Sequence, residues 1–391
     1  MVKKFFIRNF LVIPEHGGYK ILYINEMSLI NFRNYKKFFC KFNENYNIIY
    51  GKNAQGKTNI LEAIFLCSSG RSHRTKKDNE LINFLENAYY INLSVKRKYT
   101  DNEIEIFYSK EEGKKIKINS IPTKKKVELM GKINTIMFSP EDLNIIKGSP
   151  SERRKYIDIA ISQVKPSYFY DLQQYLKILA ERNHLLKDIN KNKRMSETLE
   201  VWNESLAETG AKIIKERNIF IQKINEIVKN KHEVLTAGKE NLNIKYEPSI
   251  KFNNESDTSN IKKCFIEELE RGIDKEIKVC STLIGPQRDD INILINDNNV
   301  KLYGSQGQQR TVVLSLKLSE VDIVETLIGE LPVLLLDDVL SELDVKRQEY
   351  LINNIKGMQV FITATEKDFI KLCKNESEIN LYEIENGNVI N

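Results

Sequence analysis

Gly51-Lys52-Asn53-Ala54-Gln55-Gly56-Lys57-Thr58 fits the phosphate-cradling pattern G-x-x-x-x-G-K-[ST], and the fold turns on how this stretch is read. In such a loop the glycines let the backbone close over an oligophosphate. Main-chain N–H groups point inward, and the succeeding helix adds the positive end of its dipole. Lys57 is expected to reach the outer phosphates and the Thr58 hydroxyl to sit on Mg²⁺. The pattern is short, so its meaning depends on a strand before it and a helix after it. Phe42 to Tyr50 ends in the apolar run Ile48-Ile49-Tyr50, which reads as a buried strand. Ile60, Leu61, Ile64 and Phe65 recur at helical spacing with no Pro or Gly between them. With both flanks present, a Gly-containing turn without a ligand is the weaker reading.

Working outward, the chain of 391 residues has room for two or three domains, or for one large ATPase domain carrying an insertion. Its apolar fraction of 41% and charged fraction of 29% are those of a soluble globular protein. With 60 Lys+Arg against 54 Asp+Glu the net charge is only +6, so local clustering must carry any argument for an anionic partner. Cys40, Cys67, Cys264, Cys280 and Cys373 are widely spread with no C-x-x-C, and read as reduced thiols in a cytosolic protein. No apolar run approaches the roughly 20 residues of a membrane span.

Residues 1–21 read as a leader that fits poorly with the rest of the chain. Pro14 breaks the apolar run of Phe10 to Ile13 too early for a signal peptide. Gly17-Gly18 can be encoded by a ribosome-binding sequence, which makes Leu22 a candidate start. From there Tyr23 to Phe32 and Lys37 to Phe42 read as strands, and Gly70 to Lys77 as a basic loop that is either a solvated turn or a phosphate contact. Ile91 to Tyr99, Glu103 to Tyr108 and Lys114 to Ile118 alternate as an antiparallel meander. Lysines 114, 115, 117, 124, 125 and 126, with no acid among them, make its last hairpin a candidate phosphodiester-tracking surface. Ser149-Pro150-Ser151-Glu152 reads as a capped helix start. Helices then dominate to about residue 232, with Gly210 interrupting the second apolar stripe. Asn253 to Asn260 reads as a polar linker and Ile261 to Ile273 as a further helix.

Near the C-terminus Leu331-Pro332-Val333-Leu334-Leu335-Leu336-Asp337-Asp338 is a buried strand ending in two carboxylates. An unpaired buried carboxylate costs several kcal/mol, and a Mg²⁺-nucleotide would remove that cost. Asp337 would hold the metal and Asp338 would polarise an attacking water. The bland alternative is a strand end emerging into solvent. Upstream, Gly304-Ser305-Gln306-Gly307-Gln308-Gln309-Arg310 opens an amphipathic helix and offers a second anion-binding N-terminus. A mononucleotide needs one such cradle, so the second is expected to serve the nucleotide of another subunit.

A phosphate loop, a late Ser-x-Gly-Gln helix start, an acidic strand and Ser341-Glu342-Leu343-Asp344 resemble the ABC-type ATPase heads. Within that class the chain is similar to the RecF family of DNA-repair proteins. The resemblance rests on Asn31-Phe32-Arg33-Asn34-Tyr35, Ser72-His73-Arg74-Thr75, Phe138-Ser139-Pro140-Glu141-Asp142-Leu143, Lys147 to Arg154, Ile284-Gly285-Pro286-Gln287-Arg288-Asp289-Asp290 and Gly304 to Arg310. It implies an α/β fold: an ABC-ATPase-like P-loop lobe with an antiparallel meander (22–115 and 284–391) and an inserted, mostly helical lobe (116–283). It implies a cytoplasmic protein that dimerises head to tail around ATP and Mg²⁺. DNA at gaps and junctions is the implied substrate, RecO and RecR are the implied partners, and loading of the recombinase in the SOS response is the implied outcome.

The implied nucleotide ligands are Gly51, Lys52, Asn53, Ala54, Gln55, Gly56, Lys57, Thr58 and Asn59 in cis, with Ser305, Gly307 and Gln308 reaching the partner's γ-phosphate. Thr58 and Asp337 are the implied metal ligands, Lys57 and Asp338 the catalytic residues, and Asp344 would lie at the dimer seam. Two positions depart from the ABC pattern. The loop of the metal-sensing Gln falls at Ser139-Pro140-Glu141, leaving Glu141, Asp142 or no residue for the role, and Thr365 stands nearest the place of the switch His. Slow hydrolysis is therefore expected. The alternatives are an ATP-gated clamp in which hydrolysis is incidental, another SMC-like head, and, least in keeping with the motifs, a transporter ATPase.

Overall fold

The computed structural model describes residues 22–123, 125–191, 198–253, 257–365 and 379–390. The leader, Lys124, Cys373 and Glu366 lie outside the described residues, as does the centre of the expected linker. The chain begins with β1 (Leu22–Phe32), β2 (Tyr35–Lys41), β3 (Tyr46–Tyr50) and α1 (Lys57–Ser69). Next come β4 (Ala88–Arg97), β5 (Asn102–Ser109), β6 (Gly113–Ile118), β7 (Ile121–Thr123) and β8 (Thr135–Phe138). The helices α2 (Asn144–Lys147), α3 (Pro150–Val164), α4 (Pro166–Lys191) and α5 (Leu199–Leu235) succeed them, then β9 (Leu242–Glu247) and α6 (Thr258–Val279). The last part holds β10 (Asp290–Ile295), β11 (Asn298–Asn299), α7 (Val300–Tyr303), α8 (Gln306–Ile328), β12 (Val333–Asp337), α9 (Val345–Asn354), β13 (Val360–Ala364), β14 (Ile379–Glu385) and β15 (Asn388–Val389).

Two sheets enclose α1. One is antiparallel, in the order β2-β1-β4-β5-β6-β7, and the other runs β15-β14-β3-β13-β12-β8 with parallel pairing from β14 to β8. Every residue of β12 and β13 is buried, so these strands read as continuous apolar runs, while the pleat still sorts their side chains by face. Val333, Leu335 and Phe361 face α1 and the antiparallel sheet; Leu334, Leu336, Val360 and Ile362 face α8 and α9.

A second core gathers α3 to α6, the small antiparallel sheet β11-β10-β9 and one side of α8. The two longest helices form an antiparallel hairpin: Tyr168 of α4 meets Arg217 of α5, and Arg182 further along α4 meets the earlier Asn203. The expected break at Gly210 does not occur. A Cβ there would lie 2.4 Å from Cε1 of Phe265, so Gly210 lets α6 approach a continuous helix and does not end one.

The expected lobe limits shift as well. Residue 116 falls inside β6, and β8 is the edge of the parallel sheet, its Thr135–Phe138 paired with Val333–Leu336 of β12. The chain leaves the sheets only after Phe138. On its return, β10 pairs with β9 among the helices, so residues 290–303 belong with the second core and the return comes at α8. The latter helix is buried on all sides from Thr311 to Val321, not on one face, because it lies between the parallel sheet and α5. Ser149 does precede α3, but its hydroxyl meets Ser151 and makes no cap. Among the described residues no helix is long and apolar enough to cross a membrane.

Candidate nucleotide site

The P-loop is held from three sides. Gly51 (φ 145) passes so close to β14 that a Cβ would lie 2.4 Å from the Ile384 carbonyl oxygen, and Gly56 (φ 110) would drive a Cβ to 2.5 Å from the Asn34 carboxamide. Asn34, in the β1–β2 turn, donates to the Gln55 carbonyl at 2.7 Å and accepts from Asn59 Nδ2 at 2.8 Å. Gln55 Oε1 in turn accepts the N–H of Asn386 at 2.6 Å. Gln55 and Asn59 therefore brace the loop, while Lys52, Asn53 and Ala54 form its exposed tip.

Lys57 folds back over this loop, donating to the carbonyls of Gly51 (2.6 Å) and Lys52 (2.8 Å). Burial lowers the pKa of its ammonium, and Asp338 and Asp337 oppose that shift. Thr58 Oγ1 donates to Asp337 Oδ1 at 2.8 Å, joining residues 279 apart in sequence at the start of α1 and the end of β12. The same carboxylate oxygen accepts from Thr363 Oγ1 at 2.7 Å. Burial raises the Asp337 pKa, and the bonds from Thr363 and Thr58 pull it back. Two hard oxygen donors, Thr58 and Asp337, thus meet beside the phosphate loop, a donor set suited to Mg²⁺.

Asp338 is exposed at the strand end with a left-handed backbone (φ 52), a conformation Asp tolerates better than most residues. Its N–H donates to Thr363 Oγ1 at 2.9 Å, and Ser341 Oγ bonds its carbonyl at 2.7 Å. Thr363 therefore holds the Asp337 carboxylate and the Asp338 backbone, while Ser341 Oγ also reaches Asp338 Oδ1 at 3.1 Å. The sequence points instead to Thr365, which is exposed just beyond the same strand. Alternation along β13 offers Phe361, Thr363 and Thr365 as one face, but only the register, with Asp337 opposite Thr363, selects among them.

The loop of the expected metal sensor splits its two acids. Asp142 turns inward, accepting the Ser139 N–H at 2.7 Å and pairing with Lys317 at 3.4 Å, so it is committed to packing. Glu141 is exposed at the mouth of an inter-lobe cavity of about 970 Å³. Arg71 and His73 line the same cavity, half-buried, and burial pushes the His73 imidazole down to about 4. Arg74 reaches Asn59 Oδ1 at 3.3 Å.

Ser305, Gly307 and Gln308 lie at the start of α8, with Ser305 and Gly307 exposed. Ser305 Oγ accepts the Gln308 N–H at 3.2 Å while Gln308 Oε1 accepts the Ser305 N–H at 2.8 Å, a reciprocal cap. Gln308 Nε2 donates to Glu240 at 3.0 Å, which also meets buried His232. Nothing among the described residues requires Gly307, since a Cβ there would meet only Ser305 Oγ, at 4.0 Å. Leu302 and Tyr303 beside it are 70% and 74% exposed. Within one chain this cradle and the P-loop share no bond among the described residues. Asp344 caps α9 and pairs with Arg347.

The basic hairpin offers less than its sequence promises. Lys114 is drawn inside, 2.5 Å from Asp78, and Lys115 and Lys117 face Glu112 and Glu105. Lys125 lies over the Tyr170 ring.

The RecF/RecN/SMC N terminal domain family matches residues 23–389. The DNA replication and repair protein RecF of Acetivibrio thermocellus is 51% identical over 350 residues, 90% of this chain and 95% of that protein. This chain belongs to the RecF family. Among solved structures, a RecF–ATP recombination mediator of the RecFOR pathway superposes with a TM-score of 0.89 at 41% identity, covering 96% of this chain and 99% of that one. The SMC head of Pyrococcus furiosus bound to the C-terminal domain of ScpA, at 15% identity and a TM-score of 0.53, shares the RecF fold alone.

Proposed function

We propose that this RecF-family chain binds ATP and Mg²⁺ at Gly51–Asn59, dimerises head to tail through Ser305 and Gly307, and in that state holds gapped or junction DNA. Loading of a recombinase with RecO and RecR in the bacterial cytoplasm, within the SOS response, is the role the family supports. The observation that carries the reading is the bond from Thr58 to Asp337, which brings the two halves of a Mg²⁺-nucleotide site together across 279 residues of sequence. Bound there, Mg²⁺ would neutralise charge between the β- and γ-phosphates. Lys57 is already poised on the loop carbonyls and would exchange them for phosphate oxygens. Asp338, exposed and fixed by Thr363 and Ser341, would orient the attacking water.

The absence of a charged switch residue at Thr363 and Thr365 favours slow turnover, suited to a clamp. Sedimentation with and without ATP and gapped DNA tests the proposal: an ATP-dependent dimer that retains gapped DNA is expected, and a chain that stays monomeric at saturating ATP would overturn it. Asp338→Asn separates the clamp with incidental hydrolysis, because a variant that still dimerises and supports repair favours that version.

A further inference from the structure

The reciprocal bonds of Ser305 and Gln308 already satisfy the ordinary needs of a helix start. A further set of contacts grips the Gln308 side chain from outside the helix. Its Nε2 donates to Glu240 Oε1 at 3.0 Å, Glu240 Oε2 meets His232 Nε2 at 3.0 Å, and His232 Nδ1 meets Ser315 Oγ of α8 at 3.1 Å. The His232 side chain is fully buried. Glu240 stands in the loop between α5 and β9, and that loop is fixed on both sides of it. The Gly238 N–H donates to the Glu233 carbonyl at 2.8 Å, and the Asn241 and Asn296 backbones are joined by two bonds of 2.9 Å.

The direction of each bond follows from the groups that make it. A carboxylate only accepts and a backbone N–H only donates, so Gln308 turns its Nε2 to Glu240 and its Oε1 to the Ser305 N–H. Burial lowers the His232 pKa against the pull of Glu240, leaving one ring proton at neutral pH. That proton lies on Nε2, facing Glu240, and Nδ1 accepts from Ser315. With Gln308 so oriented, the N–H groups of Ser305 and Gln308 are both engaged within the chain. Those of Gln306 and Gly307, in the first turn of α8, have no partner within the helix and are the ones left for an incoming anion.

We propose that Glu240 is a positioning residue for assembly: by fixing the Gln308 carboxamide it holds the Ser305 hydroxyl and the Gly307 N–H in place for the γ-phosphate of a second copy, with His232 and Ser315 holding Glu240 in turn. The inference rests on reading the start of α8 as that cradle. Sedimentation of the full chain in Mg²⁺-ATP measures the dimer, and calorimetry with Mg²⁺-ADP, which lacks the γ-phosphate, reports the P-loop alone. Glu240→Ala is expected to weaken the ATP-dependent dimer by about tenfold with ADP affinity unchanged. Glu240→Gln should restore it, since a carboxamide oxygen still accepts from Gln308 and its NH₂ can donate to the other tautomer of His232. Glu240→Lys separates orientation from charge. An ammonium only donates, so it cannot hold Nε2 and the dimer should weaken; a residue acting on the partner's phosphates through charge alone would make this variant dimerise more tightly. That tightening overturns the inference, as does a Glu240→Ala dimer as strong as wild type. Loss of ADP affinity together with the dimer in Glu240→Ala would make its role merely structural and overturns it too. Wild type that stays monomeric in ATP, or a Ser305→Asp chain that still dimerises, overturns the reading of the cradle and this inference with it.

Discussion

The two proposed anion cradles of this chain differ in how complete they are. At the P-loop, Gly51 and Gly56 are pressed against neighbouring backbone and side chain, and Thr58, Asp337 and Thr363 share bonds within one molecule. At the start of α8, Ser305 and Gly307 stand in solvent, and their neighbours brace the helix from behind. The first cradle is preorganised for a ligand; the second is braced by its own cap and by Glu240 but, among the described residues, shares no bond with the first. Affinity should therefore reside in the first cradle and assembly in the second, which makes the two separable by substitution.

Lys57→Ala is the harshest way to break this division. Removing the ammonium should weaken ATP by about 2–5 kcal/mol, at least about 30-fold, and abolish the dimer with it. Titration calorimetry reads the first effect and sedimentation the second. Ser305→Asp should break only assembly. Asp caps a helix as well as Ser, so α8 keeps its start and the thermal midpoint stays put. Its carboxylate would face the partner's γ-phosphate, and like charges there cost several kcal/mol. A variant that binds ATP within a few-fold of wild type yet sediments as a monomer is expected; an intact ATP-dimer would place the seam elsewhere.

The legibility of the sequence divides in the same way. Local pattern locates the P-loop strand and helix, the meander, the acidic strand and the start of α8, because capping, alternation and glycine spacing are local properties. It places no long-range pairing. Thr363 acquires its role only from the register of β12 against β13, and Asn34 only from the turn that brings β1–β2 under Gly56. Lys114 looks like one of six surface lysines until Asp78, from a different element, takes it inside. Gly210 reads as a helix breaker to any propensity scale, yet the Phe265 ring explains it. The shifted lobe limits have the same origin, since β8 and β10 are short runs whose partners lie far off in sequence.

Thr363→Val sharpens the comparison within the first cradle. It leaves the Asp338 N–H without its acceptor and removes one of the donors to Asp337, at a cost of about 1–3 kcal/mol in stability. Losing that donor also raises the Asp337 pKa further, so Mg²⁺-ATP binding should fail at a higher pH on the acid side than in wild type. Thr363→Ser should restore both. An unchanged acid limb would mean that Asp337 is not the titrating metal ligand.

The smallest effect tests whether the link between the cradles is built for stability. Lys317, midway along α8, pairs with Asp142 of the sensor loop and with Glu320, its ammonium also over the Tyr156 ring. Burial and the Asp142 charge push the Glu320 carboxyl up to about 7, against the pull of Lys317, and its Oε2 accepts no hydrogen bond. The folded chain therefore holds a proton there that the unfolded chain releases near 4.5. The resulting penalty is absent below that value, grows as pH rises through the interval and is complete above about 7. Glu320→Gln removes the charge without changing the shape. Its unfolding midpoint should exceed that of wild type at pH 8, by an amount on the order of 1 kcal/mol, and the difference should shrink towards pH 5. A pH-independent difference would show that Glu320 is already neutral at pH 8, and the polar contact between α8 and the sensor loop would then be an uncharged one.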